Sequence, residues 1–125
     1  MRVLFVDDDD VTLFLYKVLV KAFPSCTAFF ARDGKEALSI LEAEELPVNM
    51  MFLDINMPVM DGFELLRNHE QLPDDKRAER LYIMLGTDIS EERRSKLFNF
   101  TNVKDCLQKP LRQEVFASLM AQIPG

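Results

Sequence analysis

Five short apolar runs, at residues 2–6, 27–31, 50–53, 81–85 and 103–107, recur along this chain, and each is followed by a segment of helical spacing. The first run is too uniformly hydrophobic for a strand with one wet face, so it suits a strand buried on both sides. Strict alternation of such strands with helices predicts a parallel sheet covered on both faces, because each right-handed crossover lays its helix across the sheet. In that architecture ligands gather beyond the carboxyl ends of the strands, where strand order reverses. Asp7, Asp8, Asp54, the pair Gly86-Thr87 and Lys109 all stand at those ends. The pattern alone therefore points to one site.

The intervening segments carry helix signals of uneven quality. Asp10 precedes Val11 as a helix N-cap, and Val11, Phe14, Leu15, Val18, Leu19 and Ala22 recur at helical spacing as an inward face that Pro24 ends. Asp33-Gly34 reads as a turn before a helix over 35–44, with Ala37, Leu38 and Leu41 facing inward. Further helices are expected over 62–68, 90–98 and 111–123, the last with Val115, Phe116, Leu119, Met120 and Ile123 on one face. The polar stretch 69–80 reads as an exposed loop carrying the lone His69. There is no internal repeat, low-complexity tract or linker, so residues 1–125 are expected to form a single domain without an output domain.

At 125 residues the chain is long enough for one core. With 15 Lys plus Arg against 21 Asp plus Glu, its net charge of -6 disfavours nonspecific attraction to a nucleic-acid backbone. No apolar run approaches the roughly 20 residues of a membrane span, and the first is too short for a signal-peptide core. A cytoplasmic protein with two reduced thiols, Cys26 and Cys106, each in a strand, is the expectation. Met50-Met51 and Phe29-Phe30 read as core strand residues.

Asp54 ends an apolar run just where a loop begins, fixed in place yet reachable. Carboxylates gathered within a few ångströms repel one another unless a cation is present. Mg²⁺ fits best, being hard, oxygen-seeking and commonly held by one or two carboxylates beside a phosphate. Asp9 and Asp10 read as solvated caps. Lys109 can carry a compact charge into such a pocket on a flexible stem.

The segments Val6-Asp7-Asp8, Leu53-Asp54-Ile55-Asn56-Met57-Pro58-Val59-Met60-Asp61-Gly62-Phe63-Glu64-Leu65 and Leu107-Gln108-Lys109-Pro110-Leu111 together resemble the receiver domain of two-component response regulators over essentially the full length. The resemblance implies a flavodoxin-like (βα)5 fold, a doubly wound five-stranded parallel sheet of strand order 2-1-3-4-5. It implies a signalling switch rather than an enzyme, which assists its own phosphoryl transfer and autodephosphorylation. Asp54 would accept a phosphoryl group from a sensor histidine kinase or histidine phosphotransfer protein. Asp8, Asp54 and the Asn56 backbone carbonyl would bind Mg²⁺ directly, with Asp7 acting through a bound water and Lys109 beside the phosphoryl group. The Lys109-Pro110 peptide would be cis. Met57-Pro58 and Asp61-Gly62 would stiffen the loop that presents Asp54. A downstream protein would read the face of the fourth helix, fifth strand and fifth helix.

Two positions depart from that family. The hydroxyl expected at the end of the fourth strand falls on Gly86, with Thr87 one residue later as a substitute, and the switch aromatic falls on Cys106. These departures support an alternative reading, a degenerate receiver acting as a phosphorylation-independent interaction module. A hydrolase with an aspartyl nucleophile normally has a second acid two residues on, and Asn56 stands there instead.

Overall fold

The computed structural model describes residues 1–56 and 61–124. In chain order the elements are β1 (Arg2–Val6), α1 (Asp10–Val20), β2 (Thr27–Ala31), α2 (Gly34–Ala43), β3 (Met50–Asp54), α3 (Gly62–Glu70), a 3-10 turn (Asp74–Lys76), β4 (Arg80–Leu85), α4 (Glu91–Leu97), β5 (Val103–Gln108) and α5 (Gln113–Ala121). The strands form one parallel sheet of order β2-β1-β3-β4-β5. The strand order reverses between β1 and β3, so the crevice at their carboxyl ends is where a ligand site is expected.

Alternation along each strand divides the core in two. Leu4, Val6, Met51, Leu53, Leu81 and Ile83 pack on the side of α2, α3 and α4, where Ala37, Leu41, Leu65, Leu66 and Leu97 meet them. On the other side Val3, Phe5, Met50, Phe52, Tyr82 and Met84 pack under α1 and α5. There the register aligns Phe30, Phe5, Phe52 and Tyr82 on four neighbouring strands. Their rings stack at centroid spacings of 5.6, 5.4 and 5.2 Å. Each such pair adds about 0.5–1.5 kcal/mol beyond the area it buries. This ladder is the floor of the site, because Asp7 and Asp54 follow Phe5 and Phe52 by one strand period.

Helix α1 turns a different face inward from the one its spacing suggested. Leu13 and Tyr16 are buried, with Leu19, Val20 and Phe23 packed beside them. Val11, Phe14, Leu15 and Val18 are instead 66, 53, 53 and 49% exposed, and Ala22 is exposed beyond the helix. The sequence of α1 is apolar nearly all round, so two stripes compete. Tyr16 decides between them by stacking on Phe5 at 4.4 Å. The N-cap is Asp9, one residue earlier than expected: its carboxylate accepts from Val11 N–H and, at 2.7 Å, from the Thr12 hydroxyl. Asp10 is the first helical residue and pairs with Arg32 at the surface. Asp33 likewise caps α2 rather than making a separate turn, and Cys26 sits just before β2 with its Sγ 3.6 Å from Met120 Sδ. Both cysteines are free.

The stretch after α3 is not a loose loop. His69 is the penultimate residue of α3 and fully buried, and its Nε2 accepts from Ala78 N–H at 2.9 Å. Arg77 donates to the Leu72 carbonyl at 2.8 Å and Lys76 to that of Glu44 at 2.8 Å. Accepting at Nε2 places the neutral ring's proton on Nδ1, which is buried without a hydrogen-bond partner among the described residues. Burial, reinforced by the Arg77 charge and opposed by Glu70, pulls the His69 pKa down to about 4. The folded state thus favours the neutral ring. Its contribution to stability is whole above the ordinary value near 6.5 and is lost as pH falls toward 4, about 3 kcal/mol at roughly 1.4 per unit. Chemical denaturation at pH 7 and pH 5 should reveal this loss in the native chain. His69→Gln should flatten that part of the profile, and an unchanged profile would refute the clasp.

Candidate functional site

The carboxyl ends of β1, β3 and β5 bring the site together. Asp7 continues β1 by donating its N–H to the Ala31 carbonyl at 3.0 Å, and Asp54 is the last residue of β3. Lys109 follows β5 and donates its N–H to the Leu85 carbonyl at 2.8 Å, after which the Lys109-Pro110 peptide is cis. One carboxylate oxygen from each of Asp7, Asp8 and Asp54 falls within a cluster 4.8 Å across. Lys109 Nζ donates to Asp7 Oδ2 at 2.7 Å and lies 3.4 Å from Asp54 Oδ2. The expected acids and amine are therefore neighbours.

The charges bear on one another. Asp7 is fully buried and Asp54 is 7% exposed, whereas Asp8 is half-buried. Burial pushes the Asp54 carboxyl above the usual range; the Asn56 N–H at 3.1 Å opposes this, the Asp7 charge adds to it, and Lys109 opposes it. Burial disfavours the Lys109 ammonium, but its hydrogen bond to Asp7 and the charges of both aspartates hold its pKa above the ordinary value. Two close carboxylates against one shared ammonium leave negative charge uncompensated. Three hard oxygen donors with a surplus of charge are the donor set that suits Mg²⁺.

Around these, Asp9 N–H donates to Asp7 Oδ1 at 2.9 Å, while the Asp9 carboxylate, held below its usual range chiefly by Thr12, serves the helix cap. Asn56 is exposed two residues after Asp54. Residues 57–60, read as part of a stiffened loop, lie outside the described residues. Asp61 caps α3 by accepting from Glu64 N–H at 2.8 Å, and Gly62 N–H donates to the Ile55 carbonyl at 2.8 Å. Thr87 is exposed, and its hydroxyl has no hydrogen-bond partner among the described residues. Cys106 is half-buried against the α4 side of the core, with burial pushing its thiol up. Asp7, Asp8, Asp54 and Lys109 converge.

Residue spacing did not reveal a cavity of about 60 Å³ beside this cluster, lined by Thr12, Leu15, Tyr16, Lys109, Pro110 and Leu111. Burial raises the Tyr16 pKa, and the Asp7 and Asp54 charges raise it further. A second groove of about 190 Å³ runs on the other side of Pro110, along Leu107, Gln108, Leu111, Arg112 and Val115.

The family model for the response regulator receiver domain matches residues 3–121. A curated relative, an uncharacterized 14.6 kDa protein of Leptolyngbya boryana, is 34% identical over 89% of this chain and 80% of its own. Many other curated relatives are longer proteins, of which this chain covers about half or less. The signal receiver domain of an HD domain-containing protein from Pseudomonas fluorescens superposes with a TM-score of 0.79 at 29% identity, covering 97% of this chain and 91% of that one. The receiver domain of a sensor histidine kinase from Pseudomonas aeruginosa, solved with a magnesium ion in its active site cleft, has the same TM-score at 17% identity, covering 97% and 94%.

Proposed function

Because this chain belongs to the response regulator receiver domain family, we propose that it is a phosphorylation-dependent switch in which Asp54 accepts a phosphoryl group from a phosphohistidine. The observation that carries this reading is the meeting of Asp7, Asp8 and Asp54 with Lys109 at three strand ends. Asp54 offers an oxygen to the incoming phosphorus. Lys109 neutralises charge on the transferred group, and the Asn56 N–H fixes the acceptor carboxylate. Asp8, Asp54 and the Asn56 carbonyl would hold Mg²⁺, with Asp7 acting through water, and the ion would supply charge neutralisation to the acids and the phosphoryl oxygens. The magnesium ion in the cleft of the Pseudomonas aeruginosa receiver domain supports Mg²⁺ as the ion. Transfer in, and hydrolysis out, are assisted by the chain's own residues, as befits a signalling module.

The exposed stripe Val11, Phe14, Leu15 and Val18 gives the phosphodonor its place to dock. Four apolar side chains at i, i+3, i+4 and i+7 match one face of a partner helix, and one of them, Leu15, lines the cavity beside Lys109. Phe14→Glu is expected to slow transfer from a phosphorylated histidine phosphotransfer protein about tenfold or more, the scale of one interface anchor. Labelling by acetyl phosphate should be unaffected. Equal slowing of both reactions would overturn this docking face. The downstream protein reads the α4, β5 and α5 surface, through the groove bordered by Pro110 and Val115.

The test of the whole reading is incubation with acetyl phosphate and Mg²⁺, followed by mass spectrometry of the intact chain and mapping of the adduct. One phosphoryl group on Asp54 is expected; labelling elsewhere, or none, refutes it. Gly86 and Cys106 favour a second reading, an interaction module without a switch. Binding of beryllofluoride with Mg²⁺ but no spectral change on the α4 to α5 face would select that alternative.

A further inference from the structure

The site's side chains come from one face of the sheet. Asp7 follows Phe5 on β1, Asp54 follows Phe52 on β3, and Lys109 follows Leu107 on β5, each by two residues, and all three predecessors pack toward α1 and α5. Between β3 and β5 lies β4, whose residues on that face are Tyr82, Met84 and, two further on, Gly86. Asp54 pairs with Met84 and Leu85 with Gln108, and the bond from Lys109 N–H to the Leu85 carbonyl carries that register on. Gly86 therefore stands one side-chain level above Met84, beside Lys109. A Cβ built there meets no atom of the described residues within 4 Å, and the backbone of Gly86 is not in the left-handed region. Among the described residues, space exists for a side chain there.

A phosphoryl group spreads its charge over three equatorial oxygens. On the reading proposed above, the acids' cation and Lys109 would supply two partners, and β4 supplies no side-chain donor. We infer that Gly86 leaves one phosphoryl oxygen without a side-chain donor from β4, so that phosphorylation is sensed through Lys109 and Pro110 more than through the connection from β4 to α4.

Lys109 is shared at rest between Asp7 and Asp54, so a phosphoryl dianion on Asp54 competes directly for its ammonium. The next residue, Pro110, is a wall of both the cavity against α1 and the groove along α5. Moving Lys109 therefore alters both. Helix α4 is tied less directly: its one buried residue is Leu97, in the core cluster that Val103 and Cys106 of β5 pack against, and its polar links are the partly exposed pair Arg94 and Asp105 at 3.9 Å and, from the connection before it, Asp88 accepting from Gln108 Nε2 at 3.5 Å. Within the α4, β5 and α5 surface, the response belongs to the β5–α5 part.

The chemistry is balanced by a small donor. An Asp54 carboxylate oxygen attacks the phosphorus of acetyl phosphate, the new O–P bond forms, the acetyl O–P bond breaks, and acetate leaves with the electron pair. A donor on the third oxygen would stabilise charge in that transition state, an effect of about tenfold or more for one hydroxyl. The test compares the native chain with Gly86→Ser, Gly86→Ala and Thr87→Ala, reading the rate of labelling by acetyl phosphate and the amide shifts caused by beryllofluoride with Mg²⁺. Gly86→Ser is expected to label about tenfold faster than Gly86→Ala and to extend the shifts into residues 87–97. In the native chain the shifts should centre on 109–111 and on α1, and Thr87→Ala should label like the native chain. Slowing in Thr87→Ala, a serine variant no faster than the alanine one, or native shifts as large at 87–97 as at 109–111 would overturn the inference. A native chain that neither labels nor binds beryllofluoride would instead overturn the function on which it rests.

Discussion

Asp54→Asn should reduce labelling by acetyl phosphate to background, the largest functional loss any single change in this chain should produce. The asparagine amide keeps the shape of the carboxylate, and its oxygen can still accept from Asn56 N–H, but it lacks a nucleophilic anion. The neighbouring acids do not inherit the task. Asp7 is buried, with one oxygen held by Lys109 and the other by Asp9 N–H, and Asp8 follows the end of β1 rather than standing on β3. The same variant should be more stable than the native chain without metal at neutral pH. Burial, with the charge of Asp7, raises the Asp54 pKa, so the fold disfavours the ionised carboxylate. A neutral amide removes that penalty. In exchange, the variant should lose most of the stabilisation that Mg²⁺ confers on the native protein, about 2.7 kcal/mol at a hundredfold excess over its dissociation constant. Lys109→Ala separates acceptor from helper: it should still label Asp54, more slowly by about 10²-fold, the scale of losing one charge-stabilising group. A variant at Asp54 that labels as the native chain does would place the acceptor elsewhere.

How much of this was legible in the sequence depends on how many physical solutions each segment allowed. The strands were readable because central strands of a parallel sheet are buried on both faces, which leaves Val3 to Val6 and Met50 to Leu53 no polar alternative. The acids and the amine were readable because topology sends strand ends to one edge. Helix α1 was not readable in the same way. Its apolar residues cover most of the helix surface, and spacing cannot choose between the stripe of Val11, Phe14, Leu15 and Val18 and the stripe of Leu13, Tyr16 and Val20. A contact between elements far apart in sequence made the choice, the stacking of Tyr16 on Phe5. The stripe left outside is the one proposed above to dock the phosphodonor.

His69 shows the complementary case. A histidine amid polar residues resembles a surface residue until the chain's return is known, and Ala78 N–H is the partner that makes its burial tolerable. Nothing local announces that bond. The Asp9 cap misled by only one residue, since four consecutive aspartates offer four equivalent caps and the choice depends on where Thr12 places its hydroxyl. Gly86 was readable as a missing side chain, but only the register with Lys109 places the resulting gap within the site.

Gly62→Ala should destabilise the fold more than any other small substitution near the site. A Cβ at that position would lie 2.5 Å from Ile55 Cα and 3.0 Å from the Ile55 carbonyl oxygen. Both are backbone atoms of the segment that carries Asn56, so no side chain can rotate to make room. The reason for the close approach is the bond from Gly62 N–H to the Ile55 carbonyl at 2.8 Å, which seats the first turn of α3 against the end of β3. The backbone conformation of Gly62 is itself ordinary, since it does not lie in the left-handed region. Alanine would therefore be favoured by helix propensity, by about 1 kcal/mol, and opposed by the overlap alone. Overpacking of a closed interior costs about 1–3 kcal/mol when side chains can adjust, and a backbone clash belongs at the upper end or above. The net loss expected in denaturant unfolding is about 2–3 kcal/mol, with α3 displaced from Ile55. Because Asn56 N–H orients the acceptor carboxylate, Mg²⁺ affinity should fall in the same variant even at temperatures where it remains folded. A stable Gly62→Ala protein with native Mg²⁺ affinity would mean that the turn between Asp54 and α3 can shift without disturbing the acids, and that their placement depends on the strands alone.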